Sequence, residues 1–209
     1  MITIINYGAG NLFSVEKAFA ALGAEVRVSS NSADILSSDK IVLPGVGAFG
    51  DCMRQLSASG LIPAIKESVA KGIPLLGICV GLQILFEGSE ESSGVEGLNL
   101  LPGRVRKISA PHEKIPHMGW NALEFAENHR EKGLFKGIPQ SSYVYFVHSY
   151  YAVPENMSIV SSSCYYGEKI TASISTENIM ATQFHPEKSG DVGLNIIQNF
   201  IHNGSEGST

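Results

Sequence analysis

The stretch Ile73-Pro-Leu-Leu-Gly-Ile-Cys79-Val-Gly81-Leu-Gln83-Ile-Leu85 sets the tightest limit on how this chain can fold. Residues 73–78 form an apolar run of strand length, and a helical pattern resumes at Val80. Between them Cys79 stands in Gly-x-Cys-x-Gly, with Gly77 and Gly81 two residues to either side. A strand that turns at once into a helix needs small neighbours, because the backbone doubles back sharply and thrusts the central side chain out of the bend. The positive end of the following helix would lower the thiol pKa, and its first free N–H groups could hold an oxyanion. The alternative is a Cys79 that simply ends a core strand, a common place for a small buried thiol.

Upstream of this stretch the chain alternates strands and helices. Residues 2–5 are a short apolar run ending in the turn Asn6-Tyr-Gly8-Ala-Gly10-Asn11, after which Val15, Ala18, Phe19 and Leu22 recur at helical spacing and Gly23 supplies a stop. Residues 25–29 and 40–43 read as two more strands, and residues 62–71 as a helix. That alternation indicates βαβ units on a parallel sheet. Gly8-x-Gly10 lacks the third glycine of a dinucleotide fingerprint, since position 13 is Phe, so nucleotide binding is disfavoured there. The third strand ends in Pro44-Gly-Val46-Gly47-Ala-Phe-Gly50. A Gly-rich loop at the carboxyl edge of a parallel sheet is either a plain turn or a set of backbone N–H groups facing a ligand. Gln83 lies one helical turn beyond Cys79 and can sit beside it.

Past a Gly/Ser/Glu loop at 87–97, where Glu90-Glu91 reads first as a solvated face, the pattern changes. Residues 104–108, 143–148, 159–165, 169–175 and 179–184 are strand-like with little helix between them. Turns at 166–169 and 176–178 would close hairpins. A last amphipathic helix spans 192–201, and Asn203-Gly-Ser-Glu-Gly-Ser-Thr209 is a polar tail expected to be disordered. The expected architecture is α/β: a flavodoxin-like open sheet, mostly parallel, with helices on both faces and a β-rich second half, antiparallel or mixed, packed against the first. One domain, 1–202, is expected.

Composition narrows the function. The 209 residues are 44% hydrophobic and carry a net charge of -5, which argues against nucleic acid or an anionic membrane as the main partner. Cys52, Cys79 and Cys164 are an odd number with no C-x-x-C pair, so neither a disulfide framework nor a metal site is indicated, and a reducing cytoplasm fits. No basic leader or membrane-length apolar run is present. No cofactor is expected.

The last strand runs into Gln183-Phe-His185-Pro-Glu187-Lys188-Ser189. A histidine at a strand end with a carboxylate two residues on is a base with its own orienter: neutral imidazole can take a thiol proton, and the carboxylate stabilises the imidazolium. The alternative is a surface pair. His112, His117, His129, His148 and His202 compete for the role. His117, in Pro116-His-Met-Gly-Trp120-Asn121, and His148, in Tyr145-Phe-Val-His-Ser149-Tyr150, lack a local carboxylate and are expected to be structural or interface histidines.

Gly-Ile-Cys79-Val-Gly-Leu-Gln83 with Gln-Phe-His185-Pro-Glu187 resembles the triad-type, class I glutamine amidotransferases, in which Cys, His and Glu follow in that order. Asn6-Tyr-Gly-Ala-Gly-Asn11, Leu43-Pro-Gly-Val-Gly47, Pro116-His-Met-Gly-Trp-Asn121 and Tyr145-Phe-Val-His-Ser-Tyr150 are similar to one branch, the glutaminase subunits of imidazole glycerol phosphate synthases of histidine biosynthesis. The likeness runs from residue 2 to about residue 201. It implies that Cys79 attacks the glutamine side-chain amide, that His185 moves the protons and that Glu187 orients His185. It implies an oxyanion site at Val80 with Val46 and Gly47, the latter pair in a peptide that reorients with the partner's substrate. Gln83, Glu91, Ser149 and Tyr150 match glutamine-binding positions. Asn11, Trp120, Asn121, Tyr145 and Lys188 match interface or gate positions toward a (β/α)8-barrel cyclase subunit, which takes up the ammonia in a heterodimer. A sister glutaminase serving another synthase is the main alternative reading. A cysteine peptidase or a non-enzymatic thiol sensor would follow if His185 lay far from Cys79.

Overall fold

The computed structural model describes residues 1–129 and 132–202; the tail at 203–209 lies outside the described residues. The first half forms β1 (Ile2–Ile5), α1 (Leu12–Ala21), β2 (Val26–Ser29), α2 (Ser32–Leu36), β3 (Lys40–Gly45), α3 (Phe49–Ser59), α4 (Ile62–Ala70), β4 (Leu75–Cys79) and α5 (Val80–Gln83). There follow β5 (Gly103–Lys107), β6 (His117–Ala122), β7 (Glu124–Phe125), β8 (Tyr143–His148), β9 (Tyr150–Pro154), β10 (Val160–Tyr166), β11 (Glu168–Ser175), β12 (Ile179–Thr182) and α6 (Gly190–His202).

One eight-stranded sheet carries the order β2-β1-β3-β4-β12-β11-β10-β7. From β2 to β12 the neighbours are parallel, and β11, β10 and β7 add on antiparallel. The parallel part has the doubly wound, flavodoxin-like order, with a ligand crevice expected beyond the carboxyl ends of its strands. β1, β4 and β12 are buried at every position, as strands covered on both faces must be. On one side α1 packs against α6 through Phe19 and Phe200, and a second group joins α2, α3 and α4. Two antiparallel ribbons, β5–β9 and β6–β8, complete the fold.

Two expectations change in detail. The second half does more than pack against the first, because β12 enters the sheet beside β4. The helix after Cys79 is also a single turn. Leu82 in it and Leu85 and Phe86 beyond it stand at helical spacing and are buried, but the returning chain takes the next carbonyls: Leu98 N–H donates to Ile84 O at 2.7 Å and Leu100 N–H to Leu85 O at 2.9 Å. Strands β6 and β9 and helix α3 lie outside the sequence expectations, although Phe49, Cys52, Met53 and Leu56 stand at helical spacing and form the buried face of α3.

Candidate active site

Cys79 terminates β4 at φ 56° and ψ −111°, a conformation that an L-residue holds only when its surroundings enforce it. The glycines around it are there for contact. A Cβ on Gly81 would stand 1.9 Å from Leu43 O, one on Gly77 would stand 2.9 Å from Gly81 O, and one on Gly45 would stand 2.6 Å from Gly81 N. The turn is therefore clamped against the end of β3, and any side chain at these glycines would pry the two apart. With only one turn of helix behind it, α5 contributes little macrodipole, so the local N–H groups matter more than the helix.

His185 arrives from the neighbouring strand. Thr182 pairs with Ile78 in the β12–β4 register, so the chain beyond Thr182 runs alongside Cys79. Pro186 then begins a 3-10 turn, Pro186–Lys188, that carries Glu187 back to its histidine: His185 Nδ1 and Glu187 Oε1 are 2.8 Å apart. Strand β8 holds this turn in place. His185 N–H donates to Tyr145 O at 3.0 Å, Ser189 Oγ donates to His185 O at 2.7 Å, and Tyr145 N–H donates to Ser189 Oγ at 3.0 Å. With the Nδ1 proton facing the carboxylate, Nε2 is the nitrogen left for the thiol.

The electrostatics follow from this burial and pairing. Burial pushes the His185 pKa down. Hydrogen bonding to Cys79 and Glu187, and the charges of both, outweigh it and carry the value up to about 9. Glu187 is sealed from solvent, and its Oε2 has no hydrogen-bond partner among the described residues, so its charge is balanced chiefly by the imidazolium. Cys79 thus sits beside an imidazole that a buried carboxylate holds in place, an arrangement able to serve as a nucleophile with its proton carrier.

A cavity of about 380 Å³ opens over them. Val46, Gly47 and Val80 line it, as do Gln83, Glu91, Ser149, Tyr150 and Lys188. Glu91, half-buried rather than part of a solvated face, accepts from Phe49 N–H at 2.7 Å and still reaches the cavity wall. Gln83 donates to Tyr150 O at 2.9 Å and to Gln183 Oε1 at 3.1 Å. Trp120 and Tyr145 lie outside the cavity, edge to face at 6.3 Å on the outer surface of the β6–β8 ribbon, with Trp120 56% exposed. Asn121 is on the other face of β6 and turns its side chain inward, and Asn11 caps α1 by accepting from Ser14 N–H.

A family model for class-I glutamine amidotransferases matches residues 3–203. The chain belongs to the class-I glutamine amidotransferases. Among curated relatives of this amidotransferase, the imidazole glycerol phosphate synthase subunit HisH of Syntrophotalea carbinolica is 48% identical over 206 residues, covering 96% of this chain and 98% of that one. The subunit of the same name from Methanothermobacter thermautotrophicus is 49% identical over 201 residues, with 96% and 98% covered. These similarities put the chain in the HisH branch. A crystal structure of a glutamine amidotransferase superposes with a TM-score of 0.73 at 16% identity, covering 96% of this chain and 99% of that one. PurLQS from Thermotoga maritima gives 0.72 at 19%, covering 96% and 97%. At such identities they speak for the fold alone.

Several residues of the amidotransferase site carried no assignment in the sequence. Gln183 is fully buried, with its Nε2 3.9 Å from Cys79 Sγ. Its signal was available: it stands two residues before His185, in the segment that leaves β12 alongside Cys79. Tyr7 donates from a buried hydroxyl to Pro44 O at 2.7 Å, and Cys52 Sγ donates to Val46 O at 3.3 Å, so both hold the loop under Val46. Pro116, Val147 and His148 also line the cavity, a placement that only the ribbon's docking decides. Among the described residues no group of three or more His, Cys, Asp or Glu is placed to hold a metal, and no helix is long and apolar enough to cross a membrane.

Proposed function

We propose that this chain is the glutaminase subunit of an imidazole glycerol phosphate synthase. It hydrolyses glutamine to glutamate and ammonia and hands the ammonia to a (β/α)8-barrel cyclase subunit. There imidazole glycerol phosphate and an aminoimidazole carboxamide ribotide are formed. The observation that carries the chemistry is the convergence of Cys79 and His185 on one cavity wall, with the buried Glu187 carboxylate behind His185 at 2.8 Å. The likeness to HisH subunits over nearly the full length carries the pathway.

The steps balance on these residues. The Cys79 thiolate attacks the side-chain amide carbon of glutamine, and the oxyanion of the tetrahedral intermediate is held by the N–H of Val80 and an N–H at Val46 or Gly47. The His185 imidazolium gives its proton to the amide nitrogen, the C–N bond breaks and ammonia leaves. A γ-glutamyl thioester remains. His185, now neutral, takes a proton from water as the water attacks the thioester, and glutamate departs with the thiolate restored. Glu187 keeps the ring aligned throughout. Gln83, Ser149 and Tyr150 hold the glutamine head group, with Glu91 opposite its ammonium. Trp120, Tyr145 and Lys188 face the partner, and residues 1–202 act as one domain.

The test is glutamate release from glutamine by the purified chain, alone and with the cyclase subunit plus its nucleotide ligand, beside Cys79→Ala. Strong stimulation that vanishes in the variant is the expected result. Cys79-dependent activity without stimulation points to a sister glutaminase serving a different synthase. Absence of activity in every condition overturns the enzyme assignment for Cys79.

A further inference from the structure

Ribbon β6–β8 buries a second set of histidines whose hydrogen bonds admit one arrangement of protons. Asn121 Oδ1 accepts from Ala122 N–H at 2.8 Å while its Nδ2 donates to Tyr165 O at 3.0 Å, so main-chain groups fix the amide at both ends. The same Nδ2 lies 3.2 Å from Nε2 of His117. An amide NH2 only donates, so that ring nitrogen is bare and the proton of His117 sits on Nδ1. Its partner at 3.0 Å is Nε2 of His148, which must accept and leaves the His148 proton on Nδ1. That proton faces Tyr150 O at 2.9 Å.

The far end imposes the same answer independently, because a carbonyl only accepts. An extra proton on either ring would set two donors face to face. Burial lowers the pKa of His117 to about 4 and, with the charges of His117 and His185 against the pull of the Tyr150 carbonyl, that of His148 to about 3. The chain then enters the cavity wall, where Tyr150 O also accepts from Gln83 Nε2 at 2.9 Å.

We propose that Asn121 and His117 are positioning residues of the glutamine site: acting through His148, they pin the Tyr150 carbonyl, which orients the Gln83 amide beside Cys79. The proposal rests on the glutaminase assignment and extends it to two residues outside the cavity. Without this relay the Tyr150 carbonyl keeps only Gln83 as a side-chain partner, and both groups can turn away from bound glutamine. The outer face of β6, with Met118 62% exposed, stays free for other contacts.

Long-range 1H–15N spectra of the labelled full chain at pH 7 read each imidazole proton directly. His117 and His148 should both be neutral Nδ1–H tautomers, the reverse of the preference of free imidazole. Either ring found as Nε2–H or as imidazolium overturns the proposal. His117→Phe keeps an aromatic ring between Phe146 and Tyr166, whose centroids lie 4.8 and 4.1 Å away, and deletes only the hydrogen bonds. With the partner subunit saturating, the KM for glutamine should rise about tenfold, as for one lost hydrogen bond, while kcat changes by less than about threefold. An unchanged KM overturns the proposal. If the variant does not fold, the wild-type tautomers decide. Correct tautomers without any Cys79-dependent glutaminase would instead overturn the activity assignment, whereas wrong tautomers with intact glutaminase overturn the positioning alone.

Discussion

His185 and His148 both line the cavity over Cys79 and are nearly sealed, at 2% and 6% exposure, yet their pKa values move in opposite directions. Burial lowers both. His185 faces the Cys79 thiol and the Glu187 carboxylate and is carried up to about 9. His148 hydrogen-bonds to His117 and a carbonyl, faces no anion among the described residues and falls to about 3. The comparison separates burial from charge: burial alone makes a neutral strut, and burial beside an anion keeps the ring protonated.

The contrast breaks most sharply if the anion is removed. Glu187→Gln keeps the shape and a hydrogen bond but deletes the charge. The His185 pKa should fall to or below the ordinary histidine value, and kcat with the partner present should drop about ten-thousandfold, by analogy with carboxylate replacements in hydrolase triads. NMR titration and steady-state glutaminase kinetics check the two parts. An unmoved titration would mean that Cys79 alone sustains the imidazolium.

The converse change adds an anion to the neutral pair. Asn121→Asp places a carboxylate beside Nε2 of His117, and the pKa of that ring should climb from about 4 into or above its ordinary range. The same NMR titration reads it. A His117 still neutral at pH 6 would show that burial outweighs an adjacent charge here.

The two environments also act on stability in separate pH windows. His185, raised to about 9, contributes stability that is complete below about 6.5 and is lost as pH rises through 9. His148 works the other way: the unfolded chain takes up a proton near 6.5 and the folded chain resists until about 3, so stability is lost as pH falls through that interval. Between pH 7 and pH 5 such a histidine weakens the chain by about 2 kcal/mol, His117 does so by a similar amount and His185 offsets about 1 kcal/mol. Urea unfolding should therefore show the chain weaker at pH 5 by about 3 kcal/mol. Equal stabilities would remove the neutral-strut assignment. The smallest effect on the free chain lies on the outer face of the same ribbon. Trp120→Ala should alter its stability by no more than about 0.5 kcal/mol, because the ring is half in solvent, while weakening partner binding by about 2 kcal/mol. Chemical denaturation and calorimetric titration measure the two.

Much of the fold was legible because it rests on local pattern. Gly23 stops α1 at φ +76°, and Gly167 turns the β10–β11 hairpin at φ +70°. Strand β6 escaped notice for a physical reason: one face carries His117 and Asn121 in a polar relay, so its hydrophobic alternation is lost. Helix α5 looked longer than it is, because residues 98–101 return to take the carbonyls that a helix would have used.

By itself the sequence determined the things that depend on neighbours along the chain. It prescribed the glycine-flanked bend at Cys79, the two-residue step from His185 to Glu187 and the succession of strands and helices in the first half. The tertiary structure decided which strands became adjacent. Inserting β12 beside β4 brought His185 to Cys79, and docking the β6–β8 ribbon brought His148 and Tyr150 to Gln83. Local spacing sets backbone conformation, but a proton's position depends on which donors, acceptors and charges packing brings within about 3 Å, and those come from distant segments.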